Sequence, residues 1–206
     1  MIYSDRDIKR LIKAGEIVIT SPENDHMDNI HASSLDLRLG RFFKVYEHSK
    51  FPVLDPLKMR SFEGMTKQIE VTDIAEPFIV HPGDFVLGVT VEKVKLPNNI
   101  VARVEGRSSL GRLGIIIHST AGFVDAGFEG NITLEITNIN RMPVALYPGM
   151  RVCQLAFEPM SSPADVPYNM KKSSKYQGQE FPEESRLNLD PEFVKIAEAL
   201  QKSQPS

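Results

Sequence analysis

Two arginines, two serines and two glycines fall within one short run, Glu105-Gly106-Arg107-Ser108-Ser109-Leu110-Gly111-Arg112. Glycine lets a backbone approach a ligand closely. Serine hydroxyls and backbone N–H groups donate to phosphate oxygens, and an arginine guanidinium pairs with them as a fork. The run therefore carries the inventory for a nucleoside triphosphate. It lacks the Gly-Lys-Ser/Thr ending of a P-loop, and a solvated turn before a helix is an equally good reading of its composition. A second run, from His118 to Gly130, crowds small residues around one aspartate, Asp125. A β-hairpin there could offer backbone groups to a flat base and an aromatic ring to a sugar. Taken alone, an ordinary glycine-rich hairpin is the better reading, and His118 reads as structural. A third run is Thr133-Leu134-Glu135-Ile136. On an alternating strand, Leu134 and Ile136 share one face while Thr133, Glu135 and Thr137 share the other. Glu135 is then either a solvent-facing charge, the commoner case, or a general acid/base.

The elements that must position these residues are short and β-rich. Runs at residues 34–39, 42–45, 78–80, 85–94, 100–105, 115–118, 132–137, 144–146 and 151–157 are separated by turn signals such as His81-Pro82-Gly83 and Tyr147-Pro148-Gly149. Many short strands with regular turns predict a barrel or sandwich rather than βαβ units. Ser4 with Asp7 predicts a capped helix over 5–14, ended by Gly15, with Ile8, Leu11 and Ile12 on one face. A short helix fits 108–113. Residues 46–76 read as a long connection with room for one hairpin. After Pro159 the chain turns polar, and 171–179 reads as a mobile tail. Asp190-Pro191 is a plausible N-cap and first helical position, followed by a face of Phe193, Ile196, Ala197 and Leu200. No internal repeat or domain linker is visible.

Composition narrows the function classes. A chain of 206 residues with 41% hydrophobic and 25% charged residues can bury a real core in one domain. The net charge of −3 lacks the basic surplus of proteins that grip long nucleic acid. A single cysteine, Cys153, excludes a disulfide within the chain and a zinc site with two cysteine ligands. No apolar stretch approaches the ~20 residues that span a bilayer. The start, MIYSDRDIKR, lacks the apolar region of a secretory signal. A soluble cytoplasmic protein is expected, and a free thiol suits that reducing compartment.

Together the three runs resemble the dCTP deaminase family. The likeness extends to Ser33-Ser34-Leu35-Asp36-Leu37-Arg38-Leu39-Gly40, to Pro82-Gly83 with Phe85-Val86-Leu87-Gly88, and to Tyr147-Pro148-Gly149-Met150-Arg151 with Gln154. It also takes in Ser162-Pro163-Ala164 and Lys175-Tyr176-Gln177-Gly178-Gln179. Order and spacing are kept over residues 1–186, leaving 187–206 as a C-terminal helical extension.

The resemblance implies a mainly β, dUTPase-like distorted β-barrel of the β-clip type, assembled as a homotrimer with active sites between subunits. It implies that Arg107, Ser108, Ser109, Leu110, Gly111 and Arg112 wrap the triphosphate of dCTP, with Ser108 and Arg112 critical to catalysis. Glu135 would be the catalytic acid/base, flanked by Thr133 and Leu134. Asp125 would receive the deoxyribose 3′-hydroxyl, and Phe123 or Phe128 would disfavour a ribose 2′-hydroxyl. Gln154, Tyr168, Lys175 and Gln179 would be further nucleotide contacts, those after Pro159 lying on a tail that orders over bound nucleotide.

Zinc-dependent cytosine deaminases carry an H-x-E…P-C-x-x-C pattern, which this chain lacks. The resemblance thus implies water activated by Glu135 without zinc. Magnesium is expected with the triphosphate, and dTTP is a possible inhibitor. Gly122-Phe123 after Thr120-Ala121 resembles the members that also cleave the triphosphate, giving dUMP and diphosphate. The alternatives are a deaminase that stops at dUTP, a pure dUTP diphosphatase, and a non-enzymatic nucleotide-sensing trimer.

Overall fold

The computed structural model describes residues 1–23, 26–51, 53–57, 64–118 and 121–202. Ser119 and Thr120, which belong to the second run, lie outside the described residues.

The architecture is mainly β, as expected, in three sheets. Strands β1 (Val18–Thr20), β4 (Phe42–Tyr46), β5 (Thr66–Glu70), β7 (Phe85–Lys95), β9 (Ile115–Ile117) and β11 (Glu129–Asn138) form the largest. The order runs β5-β4-β7-β11-β9, with β1 also on β7. A second sheet has the order β10 (Phe123–Val124), β8 (Ile100–Gly106), β13 (Arg151–Pro159), β3 (Ser34–Arg38) and β2 (Ile30–His31). A small pair joins β12 (Val144–Leu146) to β6 (Phe78–Val80). All the pairings are antiparallel. The sheets do not close on one another as a full barrel; they form a distorted clip around a shared core.

Sequence pattern explains the core. On β11 every second residue is buried, so Ile132, Leu134 and Ile136 face inward. They meet Leu35 and Leu37 of β3, Leu155 and Phe157 of β13, and Phe43 of β4, all buried. Phe43 stacks on Phe78 with centroids 4.1 Å apart. Residues 46–76 do hold one hairpin strand: β5 pairs along the whole of β4.

The longest strand, β7, carries an irregularity. Asn131 of β11 lies opposite Lys93, but Thr133 lies opposite Val89. The slack turns Thr90 and Glu92 inward, where both are buried. Thr90 accepts the Ile132 N–H at 2.9 Å. Glu92 accepts the backbone N–H of Arg38 at 2.8 Å and its Nε at 2.7 Å. A fully buried carboxylate is tolerable only when paired in this way. Cys153 is buried in the same region; burial, then the charges of Glu92 and Asp36, pushes its thiol far above the ordinary range.

Helix α1 (Asp5–Lys13) buries Ile8 and Leu11, as its spacing predicts. Its cap differs from expectation. The Ser4 hydroxyl donates to the Asp7 carboxylate at 3.0 Å and makes no bond to a backbone N–H. Helix α2 is the single turn Ser108–Gly111, and helix α3 spans Pro191–Lys202. Asp190 precedes Pro191, but its side chain turns to Lys175 instead of the helix start. Among the described residues no helix is long and apolar enough to cross a membrane.

Candidate active site

One cavity of about 370 Å³ opens against the outward face of β11. The alternation that buries Leu134 and Ile136 leaves Thr133 and Glu135 half-buried on that face, and both line the cavity. Strand β10 pairs with β8 instead of forming the expected hairpin with β11, and its segment supplies Phe123 and Asp125, while β7 supplies Phe85 and Leu87 and β4 supplies Tyr46. Burial, then the negative charges of Glu184 and Glu135, holds the Tyr46 phenol above its usual range. It therefore stays a neutral donor beside the two carboxylates.

The β8–β10 pairing has a backbone reason for the glycine before β10. A Cβ on Gly122 would lie 2.6 Å from the Val104 carbonyl oxygen, and the Val104 N–H donates to the Gly122 carbonyl at 2.6 Å. The strand pair thus requires Gly122 whatever it also does for the second cleavage. His118, set aside in the sequence as structural, lines the same cavity. Its φ of 57° is unusual for a residue with a side chain. Its backbone N–H donates to the Glu135 carbonyl at 2.9 Å, so it is tied to the strand that carries the candidate acid/base. Its ring Nε2 lies 2.9 Å from the Ala121 carbonyl oxygen, and its Nδ1 is buried without a partner. Neither His118 nor Tyr46 was singled out as a site residue. The left-handed backbone of the one and the cross-strand position of the other leave no mark in composition.

The tail, expected to be mobile, is docked against the sheet in this structure. Gly178 donates to the Glu129 carbonyl at 2.7 Å, and Asn131 donates to the Gln179 carbonyl at 2.9 Å. Gln179 Nε2 returns to the Asn131 carbonyl at 2.6 Å and the residue is buried. Further on, the Glu183 N–H donates to the Thr133 hydroxyl at 3.2 Å. Glu184 accepts Lys44 Nζ at 2.6 Å and also the Thr66 hydroxyl. Phe181 packs edge-on against Phe42. Tyr168, Tyr176 and Gln179 thereby become cavity walls, with the Tyr168 hydroxyl accepting the Tyr176 N–H at 3.0 Å.

The predicted site residues thus fall into two groups and one outlier. Phe123, Asp125, Phe128, Thr133, Glu135, Tyr168 and Gln179 share the cavity. None of residues 107–112 lines it. Ser108, Ser109, Gly111 and Arg112 are exposed on and beside α2, and Leu110 is buried in the core, as is Leu134. Only the backbones of those two leucines can meet a ligand. Gln154 lies on β13 opposite Glu105 and Asp36, accepting the Ser34 hydroxyl at 3.0 Å. It belongs with the exposed loop. Lys175 belongs with neither group: its ammonium is held by both oxygens of Asp190, at 2.9 and 3.0 Å.

Comparison with known proteins supplies the family. The sequence model of the dCTP deaminase-like family matches residues 2–160. The "dCTP deaminase, dUMP-forming" of Dictyoglomus thermophilum is 53% identical over 192 residues, covering 92% of this chain and 96% of that protein. A Thermomicrobium roseum protein named simply "dCTP deaminase" is 50% identical over 187 residues, covering 91% and 94%. The crystal structure of 2′-deoxycytidine 5′-triphosphate deaminase from Agrobacterium tumefaciens superposes with a TM-score of 0.59 at 22% identity. That match covers 77% of this chain and 47% of the other, and it establishes the fold. With the family model spanning most of its length and relatives at half identity end to end, this chain belongs to the dCTP deaminase-like family.

Proposed function

We propose that this protein converts dCTP to dUMP and diphosphate, by hydrolytic deamination at cytosine C4 followed by cleavage between the α- and β-phosphates. The observation that carries the reading is a carboxylate, Glu135, set on a rigid strand in a cavity walled by aromatic and aliphatic side chains, with Asp125 at its rim. Such a carboxylate can take a proton from water as the oxygen bonds to C4 and deliver it to N3. It can then take the remaining proton of the new C4 hydroxyl and pass it to the departing amino group, so that the C–N bond breaks, ammonia leaves and the C4 carbonyl forms. Tyr46, Phe123 and Phe128 offer faces for a base and a deoxyribose.

The second group of residues completes the reading. The loop of residues 107–112 does not line the cavity of its own chain. A nucleotide whose base meets Glu135 would have its triphosphate held by Arg107, Ser108, Ser109 and Arg112 of a neighbouring copy, which favours the homotrimer that the resemblance implies. Magnesium would ride on the triphosphate oxygens.

The dUMP-forming assignment is supported by relatives of that name and by the Gly122-Phe123 pair, of which Phe123 lines the cavity. Release of dUTP is the second reading, favoured by relatives of nearly equal identity that carry the shorter name. Incubation with dCTP and magnesium, with products resolved by ion-exchange chromatography, decides. The products dUMP and diphosphate without free dUTP are expected, with Glu135→Gln slowed by ~10²–10⁴. Accumulating dUTP would leave a simple deaminase. Intact dCTP alongside cleaved dUTP would overturn deamination altogether.

A further inference from the structure

We propose that Asp36 positions Arg107, the first arginine of the phosphate loop, and sets Arg151 beside it as a further contact for the triphosphate. The proposal rests on the nucleotide-binding role given above to residues 107–112.

Asp36 lies on β3 between two leucines that are fully buried, and is itself only 2% exposed. A carboxylate taken out of water must be compensated. Three groups surround it. Arg107 Nε lies 3.2 Å from Oδ2, Arg151 Nη1 3.6 Å, and the ring Nε2 of His31 3.1 Å. Arg107 Nη1 also donates to the Arg151 backbone carbonyl at 3.1 Å. The Arg107 guanidinium is thus fixed through two of its nitrogens before any ligand arrives.

The ladder explains why these residues meet. On β13, Cys153 lies opposite Gly106 of β8, and Gln154 lies opposite both Glu105 of β8 and Asp36 of β3. Arg151 and Arg107 are therefore carried to the same end of neighbouring strands, over one buried anion. Asp36 is inaccessible, whereas the Arg107 and Arg151 side chains keep 29% and 41% of their surface exposed. The one negative charge below leaves surplus positive charge facing outward next to Ser108, Ser109 and Arg112. A fixed guanidinium loses less freedom on binding a phosphate than a solvated one. Arg151 reaches this place because of its strand, not because of the loop motif.

Steady-state kinetics on the full-length protein test the idea. Asp36→Asn and Arg151→Gln should each raise KM for dCTP about tenfold, the scale of a lost charge-assisted hydrogen bond, with a smaller effect on kcat. Competitive inhibition by deoxycytidine, which has no phosphate, should change by no more than about twofold if the damage is confined to the triphosphate end. The Asp36→Asn/Arg107→Gln double variant should lose clearly less than the two single losses combined, since Asp36 acts in large part through Arg107.

Equal loss for deoxycytidine and dCTP would make Asp36 a general structural residue and overturn the proposal, as would fully additive variants. A normal KM in Arg151→Gln would remove Arg151 from the site. Should Asp36→Asn fail to fold, Arg151→Gln and Arg107→Gln carry the test by the same comparison. If the unaltered protein does not deaminate dCTP, that reading fails separately. The variants are then compared for dUTP binding by calorimetry, because a phosphate contact does not depend on which base is held.

Discussion

The two walls of the cavity are built in different ways. One is β11, where Glu135 and Thr133 are fixed by the ladder to β7 and by the buried Leu134 and Ile136 behind them. The other is the tail beyond Pro159. Among its described residues 160–186 there is no helix or strand, and it is held by discrete contacts: Gln179 to Asn131, Glu183 to Thr133, and Glu184 to Lys44 and Thr66. A group on the first wall can move only if the sheet moves. A group on the second can leave by breaking a few hydrogen bonds. The rigid wall suits proton transfer, which needs fixed geometry. The hinged wall suits entry and release of a nucleotide.

That contrast can be broken by substitution. The largest effect is expected at Glu135→Gln, which should lower kcat by ~10²–10⁴ while leaving the unfolding transition in place. Ammonia release from dCTP measures it. A loss of comparable size from a tail variant would show that the two walls are not distinct. Beneath the rigid wall, Glu92→Gln should cost about 1–3 kcal/mol in urea unfolding, because it weakens the buried acceptor of the Arg38 N–H and Nε while Glu23 still pairs with that guanidinium. Before β10, Gly122→Ala places a methyl against the Val104 carbonyl and should cost about 1–3 kcal/mol. The ratio of dUMP to dUTP formed by that variant, read chromatographically, shows whether this segment also controls the second cleavage.

The smallest effect is expected on the hinged wall. Glu184→Gln should raise KM for dCTP a few-fold, on the order of one half-buried ion pair that keeps a neutral hydrogen-bonding partner, with stability lowered by about 1 kcal/mol. The same contact gives the tail a pH dependence. Burial works to raise the Glu184 carboxyl, but its bonds from Lys44 and Thr66 outweigh burial and hold it below the ordinary glutamate range. The contact is therefore fully present above the unfolded value and is lost as pH falls through the lowered folded value. Limited proteolysis should find the tail protected at neutral pH and cut more readily only in acid. Protection that disappears near neutrality would mean that another group governs docking.

Much of this was legible in the residue pattern, and for identifiable reasons. Alternation on β11 gave the face of Glu135, since strand side chains have a period of two whatever else surrounds them. The turn pairs gave most strand boundaries, and the motif runs gave the family. Less legible were contacts that depend on partners far away in sequence. Asp36 and Arg107 are neighbours only because β3 and β8 both pair with β13. The polar composition of 171–179 suggested mobility, yet its backbone groups find partners on β11. Lys175 matched a ligand position in the family pattern but meets Asp190, which lies outside that pattern.

The sequence by itself determined most of the strand-forming runs, the outward face of Glu135 on its strand, the presence of a single cysteine, and the membership of a family. Those properties follow from local periodicity and residue chemistry, which are complete within a few consecutive positions. The tertiary structure alone decided which residues share the cavity and which stand apart on the exposed loop. It also decided that Gly122 answers to Val104, and that one buried carboxylate underlies two arginines from different strands. Strand pairing across long stretches of chain sets those distances, and no local pattern encodes them.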